Sequence, residues 1–128
     1  MFTAEKIKAA HSKVKSGADF PAYIQEIKAL GVTHYEAHVA DGHIDYRGRQ
    51  QTAKVPAKYD TLFIADEVEA EQFKVELTAH QQGKTDFLTF IRMCANFGIE
   101  KWEINMDKMT CTYFDKAGNE ILTELIPH

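Results

Sequence analysis

One feature constrains what this chain can fold into more than any other: much of it is written twice. The stretch GVTHYEAHV at residues 31–39 returns as GIEKWEINM at 98–106, and AEKIK at 4–8 returns as AEQFK at 70–74. In the first part of the repeat the offset is 66, which also carries Gly17 onto Gly83. One inserted residue then makes it 67, and Asp19, Phe20, Ile24, Gly31, Glu36 and Tyr46 meet identical residues at Asp86, Phe87, Ile91, Gly98, Glu103 and Tyr113. Conservative pairs fill the gaps: Tyr23 with Phe90, Leu30 with Phe97, Val32 with Ile99, Tyr35 with Trp102. Each half, roughly 1–65 and 66–128, is too short to bury a core by itself, so the two halves are expected to share one.

The periodicity within a copy says what is repeated. Thr3 is suited to an N-cap, and Ile7, Ala10, His11 and Val14 follow at helical spacing until Gly17. Asp19 is placed to cap a second helix, whose stripe of Phe20, Tyr23, Ile24, Ile27 and Leu30 ends at Gly31, a residue suited to the left-handed position after a helix. From Val32 the period becomes two, as in a half-buried strand. Asp41-Gly42 reads as a two-residue hairpin turn, which sets Val39 opposite Ile44, His38 opposite Asp45 and Glu36 opposite Arg47. Tyr35, Ala37, Val39, Ile44 and Tyr46 then share one face, and His34, Glu36, His38, His43, Asp45 and Arg47 the other.

Residues 48–65 read as a loop with one further strand. Asp66 is the expected cap of a third helix running to about Gln82, with Phe73 and Leu77 inward, before Gly83. The second copy closes with the turn signal DKAGNE at 115–120 and the apolar strand ILTELI. The fold expected is α+β: two αα-ββ repeats in a single domain, 1–128, forming an antiparallel sheet with about four helices on one face and a pseudo-twofold between the halves.

The polar face of the first hairpin is where chemistry is most concentrated. Imidazoles and carboxylates side by side on a sheet are ligands that zinc accepts, which makes His34, Glu36, His38, His43 and Asp45 a candidate metal set. The plainer reading is a solvated sheet face, with His38 paired to Asp45 and Glu36 to Arg47. The second copy has Lys101, Asn105 and Thr110 where the first has His34, His38 and His43, so a histidine site would belong to one half only. HYEAH is also unlike the HExxH metalloprotease helix, because its glutamate is differently placed and its residues alternate as in a strand.

Tyr35, Tyr46, Trp102 and Tyr113 occupy matching positions, and their tips can line a ligand groove between helices and sheet or simply fill the core. Cys94 and Cys111 match Ile27 and Ile44, which reads them as buried hydrophobes rather than nucleophiles. Ser12 and Ser16 lie on or after the first helix without an elbow motif, and no Walker A loop, dinucleotide fingerprint or EF-hand loop is written in the chain. A net charge of -4 argues against nucleic acid as a partner. The absence of a long apolar run and of a signal-like start points to the cytoplasm and away from membranes.

The segments HSKVKSGADFPAYIQEIKALGV, HQQGKTDF, GIEKW and MTCTYFDKAGNEI resemble a group of small bacterial proteins of unknown function, abundant in enterobacteria, some of them labelled phage envelope protein. The resemblance covers nearly the whole chain and implies no catalytic residues. The leading expectation is a non-enzymatic binding or regulatory module with a protein or small-molecule partner, a second copy in a homodimer included. The alternatives are a zinc-binding protein or metal-dependent enzyme using the His34/Glu36/His38 strand face, and a phage-derived accessory protein that acts through assembly.

Overall fold

Among the described residues, two α-helices followed by three strands occur twice over. A computed structural model describes residues 2–15 and 17–126; Ser16 lies outside them. The first half contains α1 (Ala4–His11), a single 3-10 turn at Gly17–Asp19, α2 (Phe20–Ala29), β1 (His34–His38), β2 (Ile44–Arg47) and β3 (Thr52–Val55). The second contains α3 (Ala70–Gln81), α4 (Phe87–Asn96), β4 (Lys101–Asn105), β5 (Thr110–Phe114) and β6 (Glu120–Leu125). All six strands join one sheet in the order β3-β2-β1-β4-β5-β6, and every neighbouring pair is antiparallel.

The halves meet at the centre of that sheet, where β1 pairs with β4. Their register sets Glu36 opposite Glu103, two residues that are each other's repeat equivalents. A position facing its own equivalent lies on the axis that relates the halves, so the pseudo-twofold passes between these two glutamates. Backbone hydrogen bonds repeat across it: Val39 N donates to Glu100 O and Met106 N to Thr33 O, both at 2.9 Å. Within each half the same bond recurs at 2.8 Å, from Thr33 N to Arg47 O and from Glu100 N to Phe114 O.

Local chemistry accounts for the helix ends. Thr3 caps α1, its hydroxyl accepting from Lys6 N at 3.1 Å, and Asp86 caps α4 by accepting from Thr89 N at 2.7 Å. Asp19 precedes α2 but gives that helix no side-chain bond; its carboxylate accepts from Lys15 N instead. After α2 the chain turns at Gly31, φ 109°, and after α4 at Gly98, φ 84°. The amide three residues past each helix then reaches back, Val32 N to Ile27 O and Ile99 N to Cys94 O, closing the carbonyls left open at the helix ends.

Alternation sends one face of the sheet toward the helices. Tyr35, Ala37, Val39, Ile44 and Tyr46 are buried from the first half, and Ile104, Met106, Cys111 and Tyr113 from the second. Against them pack Ile24 and Ile27 of α2, Phe73 of α3 and Ile91 and Cys94 of α4. The other face carries half-buried polar side chains from β1 and β4.

Three sequence expectations need correction. The first hairpin does not turn on two residues: His38 and His43 flank a four-residue loop, Val39 to Gly42. The register is therefore shifted by two, with His34 opposite Arg47, Glu36 opposite Asp45 and Ala37 opposite Ile44. A shift of two keeps every side chain on its face, which is why the face assignment survives the error. The loop is long because other segments hold it open: Val39 N donates to Glu100 O just before β4, Leu62 N to Ala40 O and Lys58 N to Asp41 O. Gly42, φ 81°, lies so close to the Tyr59 ring that an added Cβ would come within 2.7 Å of it.

Asp66 is not the cap of the third helix. α3 starts at Ala70, the residue matched by the offset of 66 to the start of α1, and Asp66 instead pairs with Lys116 at 2.9 Å. Val14 also lies beyond the end of its helix, since α1 stops at His11. The strand expected in 48–65 is β3; later in that stretch, Ile64 enters the core and Phe63 stays exposed beneath the Lys116 ammonium.

Candidate functional site

Helices and sheet do not close completely over one another. Between them lies a cavity of about 280 Å³, and Tyr35, Tyr46, Trp102 and Tyr113 all line it. These aromatics are core residues as well, since three of them are at most 6% exposed. Their rings contact in pairs, with centroids 5.0 Å apart for Tyr35 and Tyr46 and 6.2 Å for Trp102 and Tyr113. The Tyr23 and Tyr46 hydroxyls share a 2.9 Å hydrogen bond. Burial raises the phenols of Tyr35 and Tyr113 well above their usual range and pushes Tyr46 up to about 12, so all three stay neutral. The result is an apolar slot with uncharged hydroxyls at fixed places in its wall.

Part of the lining was not singled out in the sequence. His80 stacks on Phe90, centroids 4.1 Å apart, and its Nδ1 lies 3.0 Å from Thr85 Oγ1. The Lys58 ammonium stands over the Phe87 ring at 5.7 Å. Burial lowers the pKa of His80 and of Lys58; at His11, which also lines the cavity, burial lowers it first and the Lys58 charge adds to the effect. These residues come from α1, the loop after β3 and α3. No motif marks them, because only the folded chain brings them to one cavity.

The opposite face of the first hairpin holds the histidines and carboxylates. The rings of His38 and His43 stack, centroids 4.0 Å apart and planes 9° from parallel. Asp45 Oδ2 lies 3.6 Å from His38 Nε2 and 3.8 Å from His43 Nε2. Glu36 Oε2 is 3.9 Å from His38 Nε2 but is held by Lys101 Nζ at 2.9 Å. Burial pulls Glu36 upward, and the Lys101 hydrogen bond and charge more than offset it, leaving the carboxyl below its usual range. His38 is lowered by burial first and then by His43, so its imidazole stays neutral near pH 7.

Of the five residues named as a metal set, the structure gathers His38, His43 and Asp45, with Glu36 alongside. His34 stands apart at the far end of β1, its Nδ1 3.0 Å from Thr33 Oγ1. Asp41 joins from the loop: its Oδ1 lies 2.6 Å from His43 Nδ1 and accepts from His43 N at 3.0 Å. The pairing of Glu36 with Arg47 across the strands is replaced by the contact with Lys101 on β4. Among the thiols, burial raises Cys94 far above its usual value and pushes Cys111 up to about 12, which suits packing and not nucleophilic attack.

Among the described residues, no helix is long and apolar enough to cross a membrane. Compared with known families, residues 8–125 match the model described as a protein of unknown function, DUF1398. The comparison with curated proteins gives no match.

Proposed function

The chain belongs to the DUF1398 family, whose description names no activity, and from that premise we propose that it is a binding module for a small organic molecule held between its helices and its sheet. The observation that carries this reading is the cavity itself, walled by Tyr35, Tyr46, Trp102 and Tyr113 from equivalent positions of the two halves. At about 280 Å³ it sits near the lower end of ordinary ligand pockets, roughly 300–1,000 Å³, which are likewise mostly apolar with a few placed polar groups. A small, largely apolar body suits a cavity lined by such rings, and the tyrosine hydroxyls supply hydrogen bonds that fix its orientation. Binding without chemistry is favoured by the thiols and phenols, whose raised pKa values keep them protonated and weakly nucleophilic.

Trp102, the single tryptophan of the chain, lines the cavity and reports on its contents. Its fluorescence is titrated with indole, phenol, benzoate and 1-anilinonaphthalene-8-sulfonate, alongside thermal melts. At least one probe should change the signal saturably with one site per chain. At a hundred times its Kd it should stabilise the fold by about 2.7 kcal/mol. Ala37→Leu, which adds bulk at the cavity wall, should abolish the binding while leaving the chain folded. If no probe binds, or if Ala37→Leu binds as wild type does, the cavity is a packing gap and the proposal fails.

A further inference from the structure

We propose that the face of the first hairpin turned away from the helices is a transition-metal site, with His38 Nε2, His43 Nε2 and Asp45 Oδ2 as its ligands and Zn²⁺ as the ion the donor set fits. Among the described residues, this is the group whose ligand atoms converge, all within 4.8 Å of one another. In a tetrahedral zinc site with bonds near 2.0–2.1 Å, ligand atoms stand about 3.4 Å apart. The two contacts to Asp45 Oδ2, 3.6 and 3.8 Å, are already close to that edge. They are also too long for hydrogen bonds, so the groups face one another without bonding.

One of the three ligand atoms is an orphan, and so is the other oxygen of the Asp45 carboxylate. His38 Nε2 and Asp45 Oδ1 are buried and have no hydrogen-bond partner. Buried polar atoms in folded proteins are nearly always paired, and an unpartnered imidazole nitrogen standing 3.6 Å from a carboxylate oxygen marks a place for an ion. His43 adds the supporting feature of metal-binding histidines. Its Nδ1 is held by the Asp41 carboxylate at 2.6 Å, which fixes the ring with Nε2 3.8 Å from Asp45 Oδ2. Glu36 is excluded as a ligand by its bond to Lys101, so the protein supplies three donors and the fourth position is left to water or an exogenous ligand. Imidazole with carboxylate is a set that favours Zn²⁺ and its neighbours over Mg²⁺ or Ca²⁺.

The second half acts as an internal control. Its residues at the positions of His38, His43 and Asp45 are Asn105, Thr110 and Thr112, and β4 and β5 form the same hairpin without them. Stacked imidazoles beside a carboxylate are therefore not something the fold needs. The site is also reachable, since the side chain of His43 is 37% exposed and that of Asp45 22%.

The test uses the full chain without a histidine tag, stripped with EDTA and titrated with Zn²⁺ against a chelating dye. Co²⁺ serves as a spectroscopic stand-in. The expected result is one Zn²⁺ per chain, a raised melting temperature and a visible Co²⁺ band of tetrahedral intensity. His38→Ala and His43→Ala should each weaken binding at least a hundredfold, and His34→Ala should stay within about twofold of wild type. Asp41→Asn should weaken affinity ten- to a hundredfold while one ion still binds. Should a histidine variant fail to fold by circular dichroism, Asp45→Asn decides in its place. Wild-type binding no tighter than that of His38→Ala or Asp45→Asn, or an equal loss in His34→Ala, overturns the proposal.

Discussion

The first and second hairpins have the same backbone and different surfaces. Toward the helices they carry matched apolar residues, Tyr46 repeated as Tyr113 and Tyr35 answered by Trp102. Away from the helices one presents His38, His43 and Asp45 where the other has Asn105, Thr110 and Thr112. The inner face has to fill a shared core at close packing, which leaves little freedom in size or polarity. The outer face has only to be polar enough to meet water, so it is the face on which one copy can acquire chemistry while the other stays plain.

If the inner faces are equivalent, removing the same side chain from either half should cost the same. Ile24 and Ile91 are repeat partners, 0% and 1% exposed, and Ile24→Ala and Ile91→Ala should each destabilise the protein by about 2–5 kcal/mol in urea denaturation. Because β1 and β4 join the halves in one sheet, Trp102 fluorescence and far-UV circular dichroism should move together in both variants. A Trp102 transition left in place by Ile24→Ala would show that the second half stands alone.

The glycines that end α2 and α4 should separate the halves. Both have positive φ, so an alanine at either costs about 1–2 kcal/mol in backbone strain. At Gly31 a new Cβ meets only Phe2 Cδ1 at 3.8 Å, but at Gly98 it falls 2.7 Å from the Glu67 carbonyl oxygen. Gly98→Ala should therefore be the more damaging of the two, measured by the same denaturation curves.

A pH series sharpens the contrast between α1 and α3. His11 and His80 both have folded pKa values below the usual 6.5, so the unfolded chain takes up protons first as the solution is acidified. Their contribution is complete above about pH 6.5 and is lost as pH falls through it toward the lower folded values. By the offset of 66 their counterparts are Leu77 and Val14. His11→Leu and His80→Val should each flatten the fall in stability between pH 7.5 and 5.5.

The smallest expected difference lies at the first helix of each half. Thr3 caps α1 through its hydroxyl, whereas its counterpart Glu69 gives α3 no side-chain bond. Thr3→Ala should cost about 1 kcal/mol and Glu69→Ala close to nothing in thermal melts.

Much of this architecture could be read from the chain because the repeat and the alternation are both periodic signals. Period two placed His38 and Asp45 on one face and Tyr35 and Tyr46 on the other, even though the turn at Asp41-Gly42 was assigned two residues too short. That error had a physical source: the loop is held open by Tyr59, Leu62 and Lys58, partners about twenty residues away that a local turn rule does not see. The helix start at Ala70 was better marked by the offset of 66 than by Asp66, whose capping chemistry was available but used elsewhere. The histidine cluster was legible as a set of residue types on one face. Which of them meet, with His34 left out and Asp41 brought in, depended on register and on the loop. That His11, Lys58 and His80 line one cavity was not legible, since three separate segments supply them.

The position of Glu36 opposite Glu103 has a consequence for what duplication permits. In a symmetric pair of identical chains, any residue on the axis must face a copy of itself, so a charge there can only meet its own sign. Covalent joining removes that rule. Lys101 stands where the first copy has His34 and reaches across to Glu36 at 2.9 Å, a complementary contact beside the axis that the two sides do not share. A tethered duplicate can place unlike partners on either side of its own symmetry, and the middle of this sheet is where the freedom is used.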